Sequence, residues 1–167
     1  MKKVALIMGS DSDLPIVEKA TGILSNFDVP FEVHVYSAHR TPLQASEFSA
    51  SARANDFGVI IAFAGMAAHL AGAIAANTTL PVIGVPCSSS NLDGLDALLS
   101  TVQMPTGIPV ATVAVNGGAN AALLAIQMLA IYDKELQEKV DKKRQDDAQV
   151  VLEKDKKISL SFNDIHF

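Results

Sequence analysis

The chain has no tryptophan and a single cysteine, Cys87, among its 167 residues. One cysteine cannot close an intramolecular disulfide, so a disulfide scaffold is excluded and a reducing, cytoplasmic setting is expected. Aromatic residues make up 5% of the chain and hydrophobic residues 49%, so the core must be built from aliphatic side chains and alanine. Small residues of this kind allow close backbone approach and can also serve subunit contacts. No apolar run approaches the ~20 residues of a bilayer span, so no membrane partner is expected. Residues 1–9 combine two lysines with an apolar run and imitate a secretory leader. The run is short and lacks a small-residue cleavage pattern, so a buried first strand is expected instead. Basic charge is scarce too. The net charge is −5, and no basic stripe lies outside the C-terminal segment, which argues against nucleic acid. The chain has no Gly-Lys-Ser/Thr phosphate loop and no GxGxxG fingerprint, so neither ATP nor a dinucleotide is indicated. With no HxxxH, cysteine pair or carboxylate cluster of ligand spacing, no metal site is expected.

What is present is a regular alternation. Short apolar runs at 4–8, 31–36, 59–62, 81–86 and 110–115 read as strands, continuous enough to be covered on both faces. Helical patterns occupy 15–24, 43–55, 66–76, 92–102 and 119–132. Right-handed crossovers then place helices on both faces of a parallel sheet. The expected fold class is α/β, a three-layer doubly wound parallel sheet of flavodoxin-like order 2-1-3-4-5. Residues 1–132 form the expected catalytic domain, and 133–167 a C-terminal helix and tail. Eight of the 13 Lys and Arg residues fall in that last segment, mixed with acids. Residues 158–162 alternate apolar and polar. With Ile158, Leu160, Phe162 and Phe167 the tail is more apolar than a frayed end requires, and packing on a neighbouring subunit is expected.

The stretch Ser37-Ala38-His39-Arg40-Thr41-Pro42 puts a hydroxyl, an imidazole and a guanidinium at the carboxyl end of the second strand, where open α/β sheets bind ligands. Thr41 suits an N-cap and Pro42 a first helical position. The same rim receives Gly9-Ser10-Asp11-Ser12-Asp13, Ala64-Gly65, Ser88-Ser89-Ser90 and Asn116-Gly117-Gly118. Hydroxyls, glycines that admit close backbone approach and helix N-termini together make a phosphate site. Ser12, Ser37 and Arg40 could hold that phosphate, with Ser12 equally suited to a plain N-cap and Arg40 to a surface ion pair. Asp13 could accept from a ribose diol or cap a helix. His39 is placed to shuttle a proton near neutral pH. His69 reads either as core packing in an alanine-rich helix or as part of the site. His34 and His166 read as structural or solvated, and Cys87 as a small buried hydrophobe.

Several motifs are similar to one family. Met8-Gly9-Ser10-Asp11-Ser12-Asp13, Ser37-Ala38-His39-Arg40-Thr41-Pro42, Ala67-Ala68-His69-Leu70, Gly84-Val85-Pro86, the run at 102–109 and Asn120-Ala121-Ala122-Leu123-Leu124-Ala125 resemble the class I N5-carboxyaminoimidazole ribonucleotide mutases of purine biosynthesis. The resemblance implies transfer of a carboxylate from the exocyclic nitrogen to C4 of an imidazole ribonucleotide. It implies no ATP, metal or organic cofactor. It makes His39 the general acid and base, with His69 in support. Ser12, Ser37 and Arg40 would hold the 5′-phosphate, and Asp13 the ribose. Ser10 and the backbone at Ala64 and Gly65 would hold the migrating carboxylate or CO2. It further implies a homo-octamer with sites at subunit boundaries. Arg40 and the Ala-Ala-His-Leu motif favour the mutases over the related class II carboxylases, which use CO2 directly and typically carry lysine at the Arg40 position. Phe63 and Met66 depart from the family's glycine-rich pattern and are expected to reshape the CO2 pocket. Ala71 stands where proline is usual, and Asn116-Gly117-Gly118 is shorter than the common version. A response-receiver module is disfavoured, because Phe63-Ala64-Gly65 lacks the required aspartate. A flavin module is disfavoured by the short first loop and the missing tryptophan.

Overall fold

The structure, a computed structural model, describes residues 1–163. His166 and Phe167 lie outside the described residues. Five strands and six helices follow one another: β1 (Lys3–Met8), α1 (Leu14–Asn26), β2 (Phe31–Val35), α2 (Pro42–Ser51), β3 (Phe57–Gly65), α3 (Leu70–Ala75), β4 (Val82–Cys87), α4 (Leu95–Val102), β5 (Ala111–Thr112), α5 (Gly118–Ala130) and α6 (Lys134–Asn163). The strands form one parallel sheet in the order β2-β1-β3-β4-β5. This is the expected α/β doubly wound order. All carboxyl ends therefore share one rim, and the reversal of winding direction at β1 and β3 opens a crevice there.

The three central strands are apolar along their length because helices cover both faces. Ala5, Ile7, Ile60 and Ala62 pack with Leu70, Ala71 and Ile74 of α3. Strand alternation turns Val4, Leu6, Ile61 and Phe63 to the other face, and all four are buried. Each fully buried aliphatic side chain of this kind contributes about 1.5–3 kcal/mol. Close approach is enforced where side chains are missing. A Cβ on Gly118, at the start of α5, would collide with the Ile16 carbonyl of α1, and one on Gly84 of β4 with the Thr101 methyl of α4. A register shift between Lys3 and Val4 locally breaks the alternation, and Phe57 meets Phe48 of α2 with rings tilted at 56° and centroids 5.3 Å apart.

Several boundaries differ from the sequence pattern: β5 keeps only Ala111–Thr112 of the expected 110–115, β3 is longer than 59–62, and α2 stops at Ser51. The helix expected over 66–76 begins only at Leu70, because Met66 takes φ 52° and the His69 N–H turns back to the Ala67 carbonyl. The helix expected from Leu92 begins at Leu95, after Asp93 and Gly94 at φ 51° and 91°. Residues 158–162, whose alternation is strand-like, continue the last helix to Asn163.

The chain divides into two compact units, Met1–Leu129 and Ala130–Phe167. In the second unit, α6 carries i,i+4 ion pairs from Lys139 to Glu135 and from Lys143 to Asp147. Ile158, Leu160 and Phe162 are exposed on it. Among the described residues, no helix is long and apolar enough to cross a membrane.

Candidate active site

At the carboxyl rim, a cavity of about 400 Å³ is walled by the loops after β1, β2, β3 and β4. The first loop supplies Ser10, Ser12 and Asp13, the second Ser37, His39 and Arg40, and the end of β3 itself Ala64 and Gly65. The ninth candidate, His69, does not line the cavity but reaches it through His39. His39 Nε2 and His69 Nδ1 are 3.0 Å apart, and the rings meet edge-on with centroids 5.1 Å apart. One nitrogen of that pair carries the proton and the other accepts it. The late start of α3 makes the contact possible. His69 occupies the N-cap position of α3, exposed rather than buried in a helix, so the core-packing alternative falls away.

Local hydrogen bonds shape each wall. Ser10 caps a 3-10 turn at Asp11–Asp13 by accepting from the Ser12 N–H at 3.3 Å, and the Ser12 hydroxyl donates to it at 3.0 Å. Ser12 is thus not the cap of α1. Asp13 holds that position but makes no side-chain cap bond. In the second loop the Arg40 N–H donates to Ser37 Oγ at 3.2 Å. Thr41 lies at the N-cap of α2, yet its hydroxyl binds the Ser37 N–H and carbonyl at 2.8 and 3.2 Å rather than the helix. The loop is therefore fixed while the guanidinium of Arg40 stays exposed, with no partner among the described residues. A cation in that state is available to an anion.

Asp13 is the buried member of the first loop, 8% exposed. Burial raises its carboxyl above the ordinary aspartate value, and the neighbouring Cys87 thiol and Ser10 backbone oppose that rise. The thiol itself is pushed up to about 12, by burial first and the neighbouring Asp13 charge second. Cys87 is thus a buried, protonated group beneath the cavity rather than a nucleophile.

Phe63 is fully buried and turned into the core, so of the two departures only Met66 lines the cavity. Ser88 and Ser89 line it as well. The serine run expected at this rim thus reaches the cavity through two of its three residues, without a role assigned to either by the sequence. A larger groove of about 870 Å³ opens at the amino end of β4, lined by residues such as Arg53, Thr79, Pro81 and Ile108. It has no histidine or carboxylate among its lining residues, and Arg53 is engaged by Thr79. No group of three His, Cys, Asp or Glu residues that could hold a metal ion occurs among the described residues.

Residues 3–150 match the model of the family described as AIR carboxylase. The N5-carboxyaminoimidazole ribonucleotide mutase of Pyrococcus abyssi is 55% identical over 146 residues, 87% of this chain and 84% of that protein. The phosphoribosylaminoimidazole carboxylase of Saccharomyces cerevisiae is 55% identical over 138 residues, which is 83% of this chain but 24% of that longer protein. The crystal structure of Treponema denticola PurE superposes with a TM-score of 0.85 at 31% identity, covering 92% of this chain and 96% of that one. With the matched span running from β1 into α6 and enclosing every wall of the cavity, the chain belongs to the AIR carboxylase family.

Proposed function

We propose that the chain catalyses the N5-carboxyaminoimidazole ribonucleotide mutase reaction, moving a carboxylate from the exocyclic nitrogen to C4 of the imidazole. The observation that supports this most directly is that one cavity gathers the imidazole of His39, the hydroxyls and cation of Ser12, Ser37 and Arg40, and the strand end at Ala64 and Gly65. The 5′-phosphate lies against Ser12, Ser37 and Arg40, and the ribose hydroxyls face Asp13. The migrating carboxyl group lies near Ser10, Ala64 and Gly65. His39 donates a proton to the exocyclic nitrogen as the N–C bond breaks, and the bonding pair stays on nitrogen. The CO2 so formed is attacked by C4. The C4 proton then returns to His39, and the reaction is an isomerisation with no net proton change. His69, 3.0 Å from His39, holds the ring in place. Because CO2 is neutral, its retention must come from positioning, which in well-oriented cases is worth about 7–11 kcal/mol.

Catalysis in a homo-oligomer, an octamer by resemblance, belongs to this reading. His39, Arg40 and Ser12 are exposed in the single chain, and α4 with its preceding loop presents Leu92, Leu95, Leu99 and Val102 to solvent. Within α4, Leu95, Leu99 and Val102 form an i, i+4, i+7 stripe that suits packing against another subunit. A cytoplasmic location accords with the single buried thiol. The deciding assay follows freshly made N5-carboxyaminoimidazole ribonucleotide without ATP, beside aminoimidazole ribonucleotide with bicarbonate. C4-carboxylated product from the first substrate is expected. Efficient product formation from the second alone would make the chain a carboxylase.

A further inference from the structure

We propose that Asn116 is a positioning residue for the migrating carboxyl group, because its side chain clamps the Ser88–Ser89 wall of the cavity beside Ala64 and Gly65. This rests on the mutase reading above. Asn116 ends the segment after β5 with φ 58°, a left-handed conformation that glycine adopts at least cost and asparagine tolerates. Glycine would suffice for the backbone, so the asparagine side chain needs its own explanation. Its Oδ1 accepts from the Ser88 N–H at 2.9 Å, and its Nδ2 donates to Ser88 Oγ at 2.8 Å. A backbone N–H can only donate, which fixes the orientation of the amide. The Asn116 N–H donates in turn to the Pro86 carbonyl at 2.8 Å. Both residues that flank Cys87 are therefore tied to Asn116.

Cys87 is the sheet partner of Gly65, so the residue that follows it borders the strand end at Ala64 and Gly65, and Ser88 and Ser89 line the cavity there. Ser89 Oγ is buried without a partner and adds no side-chain anchor of its own. Behind the wall the packing is tight. A Cβ on Gly94 would lie 2.6 Å from Val115 Cγ1 and 3.2 Å from Ser88 Cα. The clamp thus sets where the wall stands, and it makes no hydrogen bond to Ser12, Ser37 or Arg40. Loosening it opens the end that retains CO2 and leaves the phosphate end alone.

The test uses the full-length chain, substrate labelled with 13C in its carboxyl group, and the ratio of aminoimidazole ribonucleotide released to C4-carboxylated product, after subtraction of the uncatalysed loss of CO2. Asn116→Gly keeps the backbone conformation and removes both side-chain bonds. Its ratio is expected to rise by at least about twofold, the lower end of what one of the two lost neutral hydrogen bonds supplies, with KM unchanged. Asn116→Asp keeps an acceptor for the Ser88 N–H and lets Ser88 Oγ donate, so its ratio is expected to return to the wild-type value. An unmoved ratio in Asn116→Gly overturns the proposal, as does a fall in activity tracking a fall in Tm with the ratio constant. Absence of C4-carboxylated product from the wild-type chain overturns the mutase reading itself, a result distinct from an active enzyme with an unmoved ratio.

Discussion

Replacement of Arg40 separates an anion clamp from a surface charge. The guanidinium is exposed and without a partner among the described residues, while its backbone N–H, which alanine retains, carries the loop bond to Ser37 Oγ. Arg40→Ala therefore removes nothing the fold uses, and its effect on stability should stay within about 0.5 kcal/mol. Loss of one charge-assisted hydrogen bond to a phosphate costs about 1.5–3 kcal/mol, or roughly 10- to 150-fold in affinity. The phosphate is remote from the reacting atoms, so the loss should fall mainly on KM. Arg40→Lys keeps the charge but not the two-pronged geometry and should fall between. The assay is steady-state turnover of N5-carboxyaminoimidazole ribonucleotide with inorganic phosphate as competing inhibitor, beside a thermal melt. An unchanged KM with an unchanged phosphate Ki would refute the clamp. A marked drop in Tm would show that Arg40 serves the fold instead.

Other consequences follow from burial and packing. Burial raises the Asp13 carboxyl, so the folded state holds that proton more tightly than the unfolded state. The resulting stability is fully present below the unfolded value of 3.8 and is lost as the pH rises through the folded value. Asp13→Asn should therefore melt higher than wild type at neutral pH, with the gain vanishing in acid, while kcat/KM should drop by about tenfold or more if Asp13 holds the ribose as proposed. Cys87, at about 12 and buried, should resist a disulfide reagent at pH 8 until denaturant exposes it. Gly118→Ala forces a Cβ against the Ile16 carbonyl and should cost about 1–3 kcal/mol, read as a Tm loss of roughly 2–10 °C. Leu95→Lys combined with Leu99→Lys should lower the mass measured in solution by light scattering if these exposed side chains form a subunit contact.

Most of the fold was legible because burial writes itself into composition. β1, β3 and β4 are covered on both faces and read as unbroken apolar runs, and the strand–helix alternation then leaves few strand orders open. The site was legible for a related reason. In a parallel sheet, residues distant in the chain meet at one rim, so Ser12, Ser37, His39 and Gly65 could be placed together without coordinates. What escaped depends on backbone conformations that residue type does not announce. Met66 at φ 52° delays α3 and brings His69 to His39, whereas the alanine-rich pattern around it continues a helix on paper. Asp13 reads from the sequence as a ribose acceptor or a helix cap, and its burial beside Cys87 follows from a contact between residues far apart in the chain. The Asn116 contact joins residues 28 apart and has no local signature.

The most direct test of the account is the conversion of N5-carboxyaminoimidazole ribonucleotide by wild type and His39→Asn, followed by NMR without ATP. His39 is exposed and bonded only to His69 among the described residues, so the variant should fold and bind substrate. C4-carboxylated product is expected from wild type, with a loss of at least about 10²-fold in the variant, the lower end of what a positioned acid–base group supplies, and KM largely preserved. Wild-type turnover in His39→Asn would contradict the account.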